Sequence, residues 1–352
     1  MFAYVGCYTT PDRDGRGDGI RVYQVNSTGE TWTEIQQIGG LENPSLFTLR
    51  RDQSVLYSVH GGRNLLSAFA IDRAAGKLTL LNQIDCGGNN PVDCALDPTE
   101  RFLVVGNYGT GTVAVVPLEA DGRLSPVSQL FTLPGTPGPD PVQQSSSHPH
   151  AVIFDPSGRH VIVPDKGFDK TFLFRFTAGR VVPTDQASVI SKPGAAPRHT
   201  IFHPSLSILY VNNELDSTVT VFDWNRTTGH ATEAQVVSTI PNGHDGRNTT
   251  AEIAASPCGR FLYVSNRGQD SVVLFHVTPE TGRLTFAGFT PTGGSRPRFF
   301  TLDPSAERLY AANQDSDDIT GFRIDPATGV PVPFGVVVRT GSPSAISFVR
   351  PS

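Results

Sequence analysis

The amino-acid sequence predicts an all-β fold, a β-propeller of seven blades, on the basis of three observations. A pattern of proline, short apolar strand, turn and second apolar strand recurs along the chain. Successive copies start 46 to 58 residues apart, close to the period of roughly 40 to 50 residues that is typical of propeller blades. One further copy is divided between the two ends of the chain, so that its halves have to pair to complete a blade.

Each copy of the pattern begins with a proline, except that Thr250 takes this place in one copy. The copies start at Pro44, Pro91, Pro149, Pro197, Thr250, Pro297 and Pro343. The copy at Pro343 contains only a first strand, whereas residues 1–7 contain only a second strand. Together they predict a closing blade that is shared between the N- and C-terminal strands. One sheet alone leaves both apolar faces open, so each blade needs a neighbour on either side and the ring has to close.

We number the closing blade 1 and the others 2 to 7 in chain order. Blade 5 shows the pattern clearly, with a first strand at 200–202, a turn at 203–205 and a second strand at 208–212. A third strand follows in blades 2 to 7, at 66–71, 112–116, 171–176, 218–222, 271–275 and 319–324. Most third strands lead into a turn whose glycine supplies the positive φ of a tight hairpin, at Gly76, Gly122, Gly229 and Gly282. We expect residues 1–352 to form a single propeller domain.

The composition limits the kinds of partner. A formal net charge of -5 and a pI near 6.0 argue against nucleic acid and against an anionic membrane as general partners. No run of residues approaches the roughly 20 apolar positions of a membrane span. The first residues lack the charged and long apolar segments of a signal peptide. We therefore expect a cytoplasmic protein.

Four cysteines lie in separate strand or turn contexts, at Cys7, Cys86, Cys94 and Cys258. None of them forms a Cys-x-x-Cys pair, which is the spacing expected of a redox or zinc motif. Because unpaired cysteine is among the most often buried residue types, we expect four buried free thiols.

Two loops interrupt the regular repeat. Residues 133–147 are rich in proline, glycine and serine and come directly before His148. A loop of this length beside the start of an inner strand is a candidate wall or lid of a site, and the alternative is a disordered outer insertion. Residues 242–249 form a smaller loop of the same kind before blade 6.

Polar side chains gather where the innermost strands of blades 4 to 7 begin. In a propeller these positions crowd around one mouth of the central channel, so residues far apart in the sequence meet there. The residues are His148, His150, Arg198, His199, Glu252 and Arg298. The corresponding positions of blades 1 and 2 carry only Asn43, Ser45, Ser342 and Ser344. The excess on blades 4 to 7 predicts an off-centre polar site, and the alternative is that these side chains cap strand ends and bind water.

A second ring of polar residues follows the second strands. Asn or Asp recurs there, at Asn107, Asp165, Asn213, Asn266 and Asn313. A repeated Asn or Asp at one blade position is typical of side chains that bind turn backbones. Glu214 and Arg267 add charge directly after this ring. A charged side chain in such a crowded place needs a partner or a ligand.

Several segments resemble the signature segments of the seven-bladed propeller lactonase family, which includes bacterial propeller-type 6-phosphogluconolactonases and fungal carboxy-cis,cis-muconate cyclases. The resemblance covers almost the whole chain. The segments are residues 4–9, 106–109, 149–150, 197–204, 213–217, 259–267 and 313–317.

The resemblance implies a catalytic site made of His150, Arg198, Glu214 and Arg267. Opening a lactone needs an activated water and stabilisation of the tetrahedral oxyanion. His150 or Glu214 is then the base, and the two arginines suit the oxyanion and the acid product. Further candidates for substrate binding are His148, His199, Glu252, Arg298 and Asn313, among which Arg298 and His199 suit a substrate carboxylate or phosphate.

We expect neither a metal nor another cofactor, because no ligand cluster with an established spacing occurs. A ring of Asn and Asp side chains that holds Ca²⁺ is the alternative. The resemblance favours a metal-independent lactonase acting on a sugar or sugar-phosphate lactone. A muconate-type cyclase would use the same groups. A non-catalytic interaction propeller is the third possibility, but such a protein should expose apolar residues at a mouth, where this chain has His, Arg and Glu. The partner is thus a small-molecule lactone, and the oligomeric state is left open.

Overall fold

The structure is a computed structural model that describes residues 1–241, 243–244 and 246–351. The first half of the described chain contains the strands Phe2–Cys7 (β1), Ile20–Val25 (β2), Trp32–Ile38 (β3), Pro44–Leu49 (β4), Val55–His60 (β5), Leu65–Ile71 (β6), Leu78–Asp85 (β7), Pro91–Leu96 (β8), Phe102–Asn107 (β9), Thr112–Pro117 (β10), Gln129–Thr132 (β11), Ile153–Phe154 (β12), His160–Asp165 (β13) and Lys170–Thr177 (β14). The second half contains Arg180–Ile190 (β15), Pro197–Phe202 (β16), Ile208–Asn213 (β17), Thr218–Asn225 (β18), His230–Ser238 (β19), Thr249–Ala255 (β20), Phe261–Arg267 (β21), Ser271–Val277 (β22), Leu284–Pro291 (β23), Pro297–Leu302 (β24), Arg308–Asn313 (β25), Asp318–Ile324 (β26), Pro331–Arg339 (β27) and Pro343–Val349 (β28). A 3-10 helix covers Pro11–Arg13.

The strands form seven four-stranded antiparallel sheets, which confirms the predicted propeller. Blades 2 to 7 each use four successive strands, from β4–β7 to β24–β27. Blade 1 has the strand order β28-β1-β2-β3, and Phe2 pairs with Val349. The shared closing blade is therefore confirmed as well. We propose that the chain folds as one unit, since neither terminal segment can complete a blade alone.

The apolar core lies between neighbouring blades. The second strands of blades 1, 2, 4 and 5 are buried along their whole length, as expected for strands that are covered on both faces. Each apolar cluster joins two sheets, and Tyr57 of blade 2, for example, shares a cluster with Leu103 of blade 3. The fourth strands, such as β7 and β23, alternate between partly buried and exposed residues at the rim.

A tyrosine hydroxyl links five pairs of blades. In each case a second-strand tyrosine donates a hydrogen bond of 2.8 to 2.9 Å to a glycine carbonyl in the outer turn of the next blade. The pairs are Tyr4 with Gly76, Tyr57 with Gly122, Tyr210 with Gly282, Tyr263 with Gly329, and Tyr310 with Gly29. These glycines have φ between 67° and 90°, which confirms the predicted turn chemistry and explains why glycine is used there.

A β-bulge marks the start of the first strands. In blade 5 the register shifts between Pro197 and His199, so Arg198 has no partner on β17. Equivalent shifts leave Ser45, Val92, Arg298 and Ser344 unpaired, and all five side chains line one small central cavity. In blade 4, His150 reaches the same cavity from an irregular segment before β12, and its backbone N–H donates to Pro164 O at 2.9 Å. In these five blades the bulge thus aims one side chain at the channel mouth.

The cysteine prediction is correct for three of the four positions. Cys7, Cys86 and Cys94 are buried free thiols, whereas Cys258 is exposed. The prediction was wrong for Cys258 because this residue lies in the turn between β20 and β21, where side chains face solvent.

The loop at 133–147 packs against blade 4, which supports its interpretation as a wall. Gln144 is fully buried, and its amide donates to Lys166 O at 2.9 Å and to Asp169 Oδ1 at 2.7 Å. In the loop predicted at 242–249, Asn242 and Asp245 lie outside the described residues. Within the described part of the chain, no helix has the length and apolar character needed to cross a membrane.

The tyrosine link predicts a measurable stability effect. We expect Tyr210→Phe to lower the free energy of unfolding by about 1 kcal/mol, since the carbonyl of Gly282 loses its buried donor. Denaturant unfolding followed by fluorescence measures this loss. Tyr23→Phe is the matched control, because the buried hydroxyl of Tyr23 has no hydrogen-bond partner within the described residues. Equal losses in both variants would contradict the prediction.

Candidate active site

Glu214 lies at the centre of a buried cluster of cations. It follows β17 directly, and its backbone N–H donates to Ala196 O at 2.7 Å. Its Oε1 is 2.8 Å from Lys166 Nζ and 3.2 Å from an Nη of Arg267. Its Oε2 is 3.1 Å from Arg198 Nε. All four side chains are buried, so three positive charges surround one carboxylate.

The neighbouring cations keep Glu214 ionised. Burial alone would raise the pKa of this carboxyl, but Arg267, Lys166 and Arg198 together hold it well below its ordinary value. Burial and the nearby Arg267 lower the pKa of Arg198 to about 9, so the guanidinium still carries its charge at pH 7. The cluster therefore has an excess of positive charge and attracts an anion.

The two arginines are also anchored to blade 6. Arg267 donates to Thr250 O at 2.7 Å, and Arg198 donates to Ala251 O. Arg267 Nε is buried and makes no hydrogen bond within the described residues, whereas Arg198 Nε faces Glu214 Oε2 at 3.1 Å. Guanidinium groups that are fixed in place in this way are suited to stabilise a developing oxyanion.

Two neutral histidines line the small cavity with Arg198 and Arg298. Burial, followed by the nearby arginine charge, lowers the pKa of His150 well below its ordinary value. Burial also lowers the pKa of His199. The ring centroids lie 5.2 Å apart. The cavity has a volume of about 20 Å³, which is enough for a single water molecule.

A larger cavity of about 500 Å³ opens on the other side of the cluster. Glu214 and Arg267 form its floor, and Gln143, Arg247 and Arg296 lie around it. A volume of this size is in the range of small-molecule sites. The predicted catalytic residues therefore form one connected group, with His150 and Arg198 on the small cavity and Glu214 and Arg267 on the large one.

Lys166 and Gln143 belong to the cluster but were missed in the sequence. Lys166 Nζ donates to Gln143 Oε1 at 2.7 Å as well as to Glu214, so the 133–147 loop forms part of the site. The signal for Lys166 is present in the sequence. This lysine follows Asp165 just as Glu214 follows Asn213 and Arg267 follows Asn266, after the second strand of its blade.

The other predicted binding residues divide into two groups. Arg298 lies over the Tyr8 ring at 5.1 Å, and Glu252 contacts His199 of the neighbouring blade. His148 instead stacks on Tyr108, with 4.2 Å between ring centroids, and lines neither of the two cavities. Asn313 also lies apart from both, because its amide donates to side chains of its own blade.

Three members of the ring of Asn residues bond within their own blades, but to side chains and not to the turn backbones that were predicted. Asn107, Asn213 and Asn313 all donate to side chains at the start of the following strand. Among the described residues, no group of three or more His, Cys, Asp or Glu side chains has the arrangement of a metal site.

The family model for the seven-bladed β-propeller lactonases matches residues 2–348. The chain belongs to this family. A Bacillus subtilis protein named 6-phosphogluconolactonase is 34% identical over 305 residues, which cover 86% of this chain and 85% of that protein. A Formosa agariphila protein of the same name is 32% identical over 317 residues, which cover 86% and 87%.

A solved structure agrees with this assignment. The periplasmic gluconolactonase of Pseudomonas aeruginosa superposes with a TM-score of 0.91 at 31% identity, over 100% of this chain and 99% of that one. The predicted resemblance to the lactonase family is thus confirmed.

Removal of the central charge has a predictable cost. We expect Glu214→Gln to lower the free energy of unfolding by about 3 to 5 kcal/mol at pH 7, because three buried cations lose their counter-ion. Since the folded pKa of Glu214 is depressed, this contribution is fully present above its ordinary pKa of 4.5 and is lost as the pH falls through the folded value.

Urea unfolding between pH 7 and pH 3 tests both parts of this prediction. Glu233→Gln, on the exposed face of β19, is the control and should follow the unsubstituted protein throughout. A Glu214→Gln variant as stable as this control at pH 7 would show that the cations do not depend on the carboxylate.

Proposed function

We propose that this lactonase-family protein hydrolyses a sugar or sugar-phosphate lactone without a metal ion. The observation that carries the proposal is the buried cation cluster on Glu214 beside a water-sized cavity with two neutral imidazoles. Hydrolysis needs stabilisation of negative charge, a water and a proton acceptor. The arginines can stabilise the charge, the small cavity can hold the water, and the imidazoles can accept the proton. The names of the relatives support the same substrate class.

Arg198 and Arg267 stabilise the oxyanion in this proposal. Both are held by backbone carbonyls of blade 6 and by Glu214, so they are already in place before the reaction. In a buried site, preorganised donors are worth far more than in water. The same guanidinium groups suit the carboxylate of the acid product.

The proton acceptor is a histidine, and Glu214 orients the cations. A carboxylate whose pKa is held far below neutrality is a weak base. His150 and His199 are uncharged at pH 7 because their pKa values are lowered by burial, so each has a free lone pair. Between His150 and Glu214, which the sequence left open as the base, the lowered pKa of Glu214 favours an imidazole.

The central experiment follows acid release from a panel of fresh lactones with a pH indicator, in the presence of EDTA. The panel contains 6-phosphogluconolactone, gluconolactone and a muconolactone. We expect one of the sugar lactones to open rapidly and EDTA to have no effect. Loss of activity with EDTA would contradict metal independence. Cyclisation of a muconate without any lactone opening would favour the cyclase alternative.

Substitution of the arginines should affect the chemical step. We expect Arg198→Ala and Arg267→Ala each to lower kcat by about 100-fold or more, because each removes a donor to the oxyanion. Arg267→Lys should recover only part of kcat, since a lysine keeps the charge but lacks the planar fork. Arg226→Ala, on an exposed outer turn, is the control. A kcat within about two-fold of the unsubstituted enzyme in both alanine variants would contradict this role.

The rim of the larger cavity is the proposed seat of a substrate phosphate. Arg247 and Arg296 line it and are exposed, and guanidinium groups bind phosphate in a bidentate way. We expect Arg296→Ala to raise KM for 6-phosphogluconolactone by about 10-fold and to leave KM for gluconolactone unchanged. Steady-state kinetics with both lactones measure the difference. Equal effects on both would assign Arg296 to the sugar ring instead.

The remaining predictions about the cell stay proposals. We propose a cytoplasmic location, which four cysteines without disulfide bonds support, although the similar Pseudomonas protein is named as periplasmic. The absence of nucleic-acid and membrane partners also stays a prediction.

A further inference from the structure

His199 and Glu252 form a buried imidazole–carboxylate pair on adjacent inner strands. His199 Nδ1 lies 3.0 Å from Glu252 Oε1. The backbone N–H of Ile253 donates to the same oxygen at 3.0 Å. Both side chains are buried. A carboxylate oxygen that accepts one backbone N–H can only accept again, so the histidine has to be the donor.

This contact fixes the tautomer of His199. With the proton on Nδ1, the lone pair is on Nε2, and Nε2 has no hydrogen-bond partner among the described residues. The backbone N–H of His199 donates to Asn212 Oδ1 at 2.9 Å, which anchors the residue behind the ring. His199 lines both the water-sized cavity and a second, larger cavity next to it, whereas Glu252 lines only the second one. The imidazole thus separates the two spaces.

His150 lacks such an orienting group. Its Nδ1 is buried and makes no hydrogen bond within the described residues. Nothing in the described structure therefore determines which of its nitrogens carries the proton. Of the two neutral imidazoles on the cavity, only His199 has both a fixed tautomer and a carboxylate that stabilises the imidazolium form.

We propose that His199 Nε2 is the base that activates water in the lactonase reaction, and that Glu252 is its positioning residue. The inference rests on the proposed function. As water oxygen bonds to the carbonyl carbon, one water proton passes to Nε2, and the carbonyl becomes an oxyanion that Arg198 and Arg267 stabilise. Collapse of this intermediate breaks the bond to the ring oxygen, which receives the proton from Nε2. The hydroxy acid leaves, and His199 is neutral again.

The pH dependence of this step is set by the groups around His199. The titratable and charged side chains that share its two cavities are Tyr8, Asp93, His150, Arg198, Glu252 and Arg298. Burial lowers the pKa of His199, Glu252 raises it, and Arg198 and Arg298 lower it. Burial raises the pKa of Asp93 to about 7, so this group also titrates near neutrality and is a control position.

The first test is the pH profile of Glu252→Gln. We expect kcat to fall by about 100-fold with KM within about two-fold, because an amide neither fixes the tautomer nor stabilises the imidazolium as a carboxylate does. The acid limb of kcat/KM should move to lower pH, since the group that raises the pKa of His199 is gone. Asp93→Asn should keep an acid limb like that of the unsubstituted enzyme.

Asp155→Asn is the matched control for a purely structural effect. It disrupts another buried carboxylate–imidazole pair, in which Asp155 Oδ2 lies 3.5 Å from His160 Nδ1, at the end of β13 remote from Lys166. We expect it to lower the unfolding midpoint and to leave the acid limb unmoved. An acid limb that is also unmoved in Glu252→Gln would overturn the proposal.

Chemical rescue tests His199 itself. His199→Ala should lose about 100-fold or more in kcat, and added imidazole should restore part of it. A His199→Ala variant that retains kcat within about two-fold would overturn the proposal. The proposal would also be overturned if imidazole restored activity to His150→Ala but not to a folded His199→Ala variant.

A measurement without substrate separates this inference from the proposed function. Nitrogen-15 spectra of labelled histidines, with His199 assigned from its loss in His199→Gln, report its tautomer directly. We expect the Nδ1–H form in the unsubstituted protein and its loss in Glu252→Gln. An Nε2–H form overturns the inference even if lactones open. If no lactone opens, the proposed function fails and the base role fails with it, while the spectra still decide whether the pair exists.

Discussion

The structure depends on the burial of both apolar faces of every sheet. The blades are apolar on each side, and their clusters of buried residues always join two neighbouring sheets. An open row of such sheets would leave two apolar faces in water, so closure of the ring through β28 and β1 is a condition of stability. Closure also fixes the positions of the first strands around one channel. The site therefore exists because the scaffold has to close.

Much of the fold could be predicted from the sequence because each blade repeats the same local chemistry. Proline at the start, an apolar second strand and a glycine turn recur at a near-constant spacing, and the structure departs from this pattern mainly in blade 4, where the first strand is reduced to Ile153–Phe154. The bulges were not predictable in this way. A bulge depends on how two strands pair, so the sequence placed Arg198 and Ser45 at the channel mouth but did not show that they would be left unpaired. Cys258 was misassigned for a related reason, since a turn position has no apolar pattern to show its exposure.

The candidate site was predictable in its members but not in its electrostatics. Glu214 and Arg267 were identified because each directly follows the recurring Asn of a second strand. The same rule applied to blade 4 would have found Lys166, which follows Asp165. The sequence did not show that Glu214 would have three cations within 3.2 Å. That arrangement decides its chemistry, because a carboxylate so strongly stabilised in its charged form is poorly suited to accept a proton. The roles of acid, base and anchor depend on distances that only the folded ring provides.

The bulged positions around the channel mouth can accept other side chains with little effect on strand pairing. A bulged side chain has no opposite residue on the neighbouring strand, so its replacement disturbs no cross-strand pair. Ser344, Ser45, Val92, Arg198 and Arg298 occupy such positions on five different sheets, and one small cavity collects them all. The side chains at these five positions can therefore be exchanged while the backbone of the ring stays the same. Substitutions in one blade after another can thus give the channel mouth a new set of side chains without changing the hydrogen bonds between the strands.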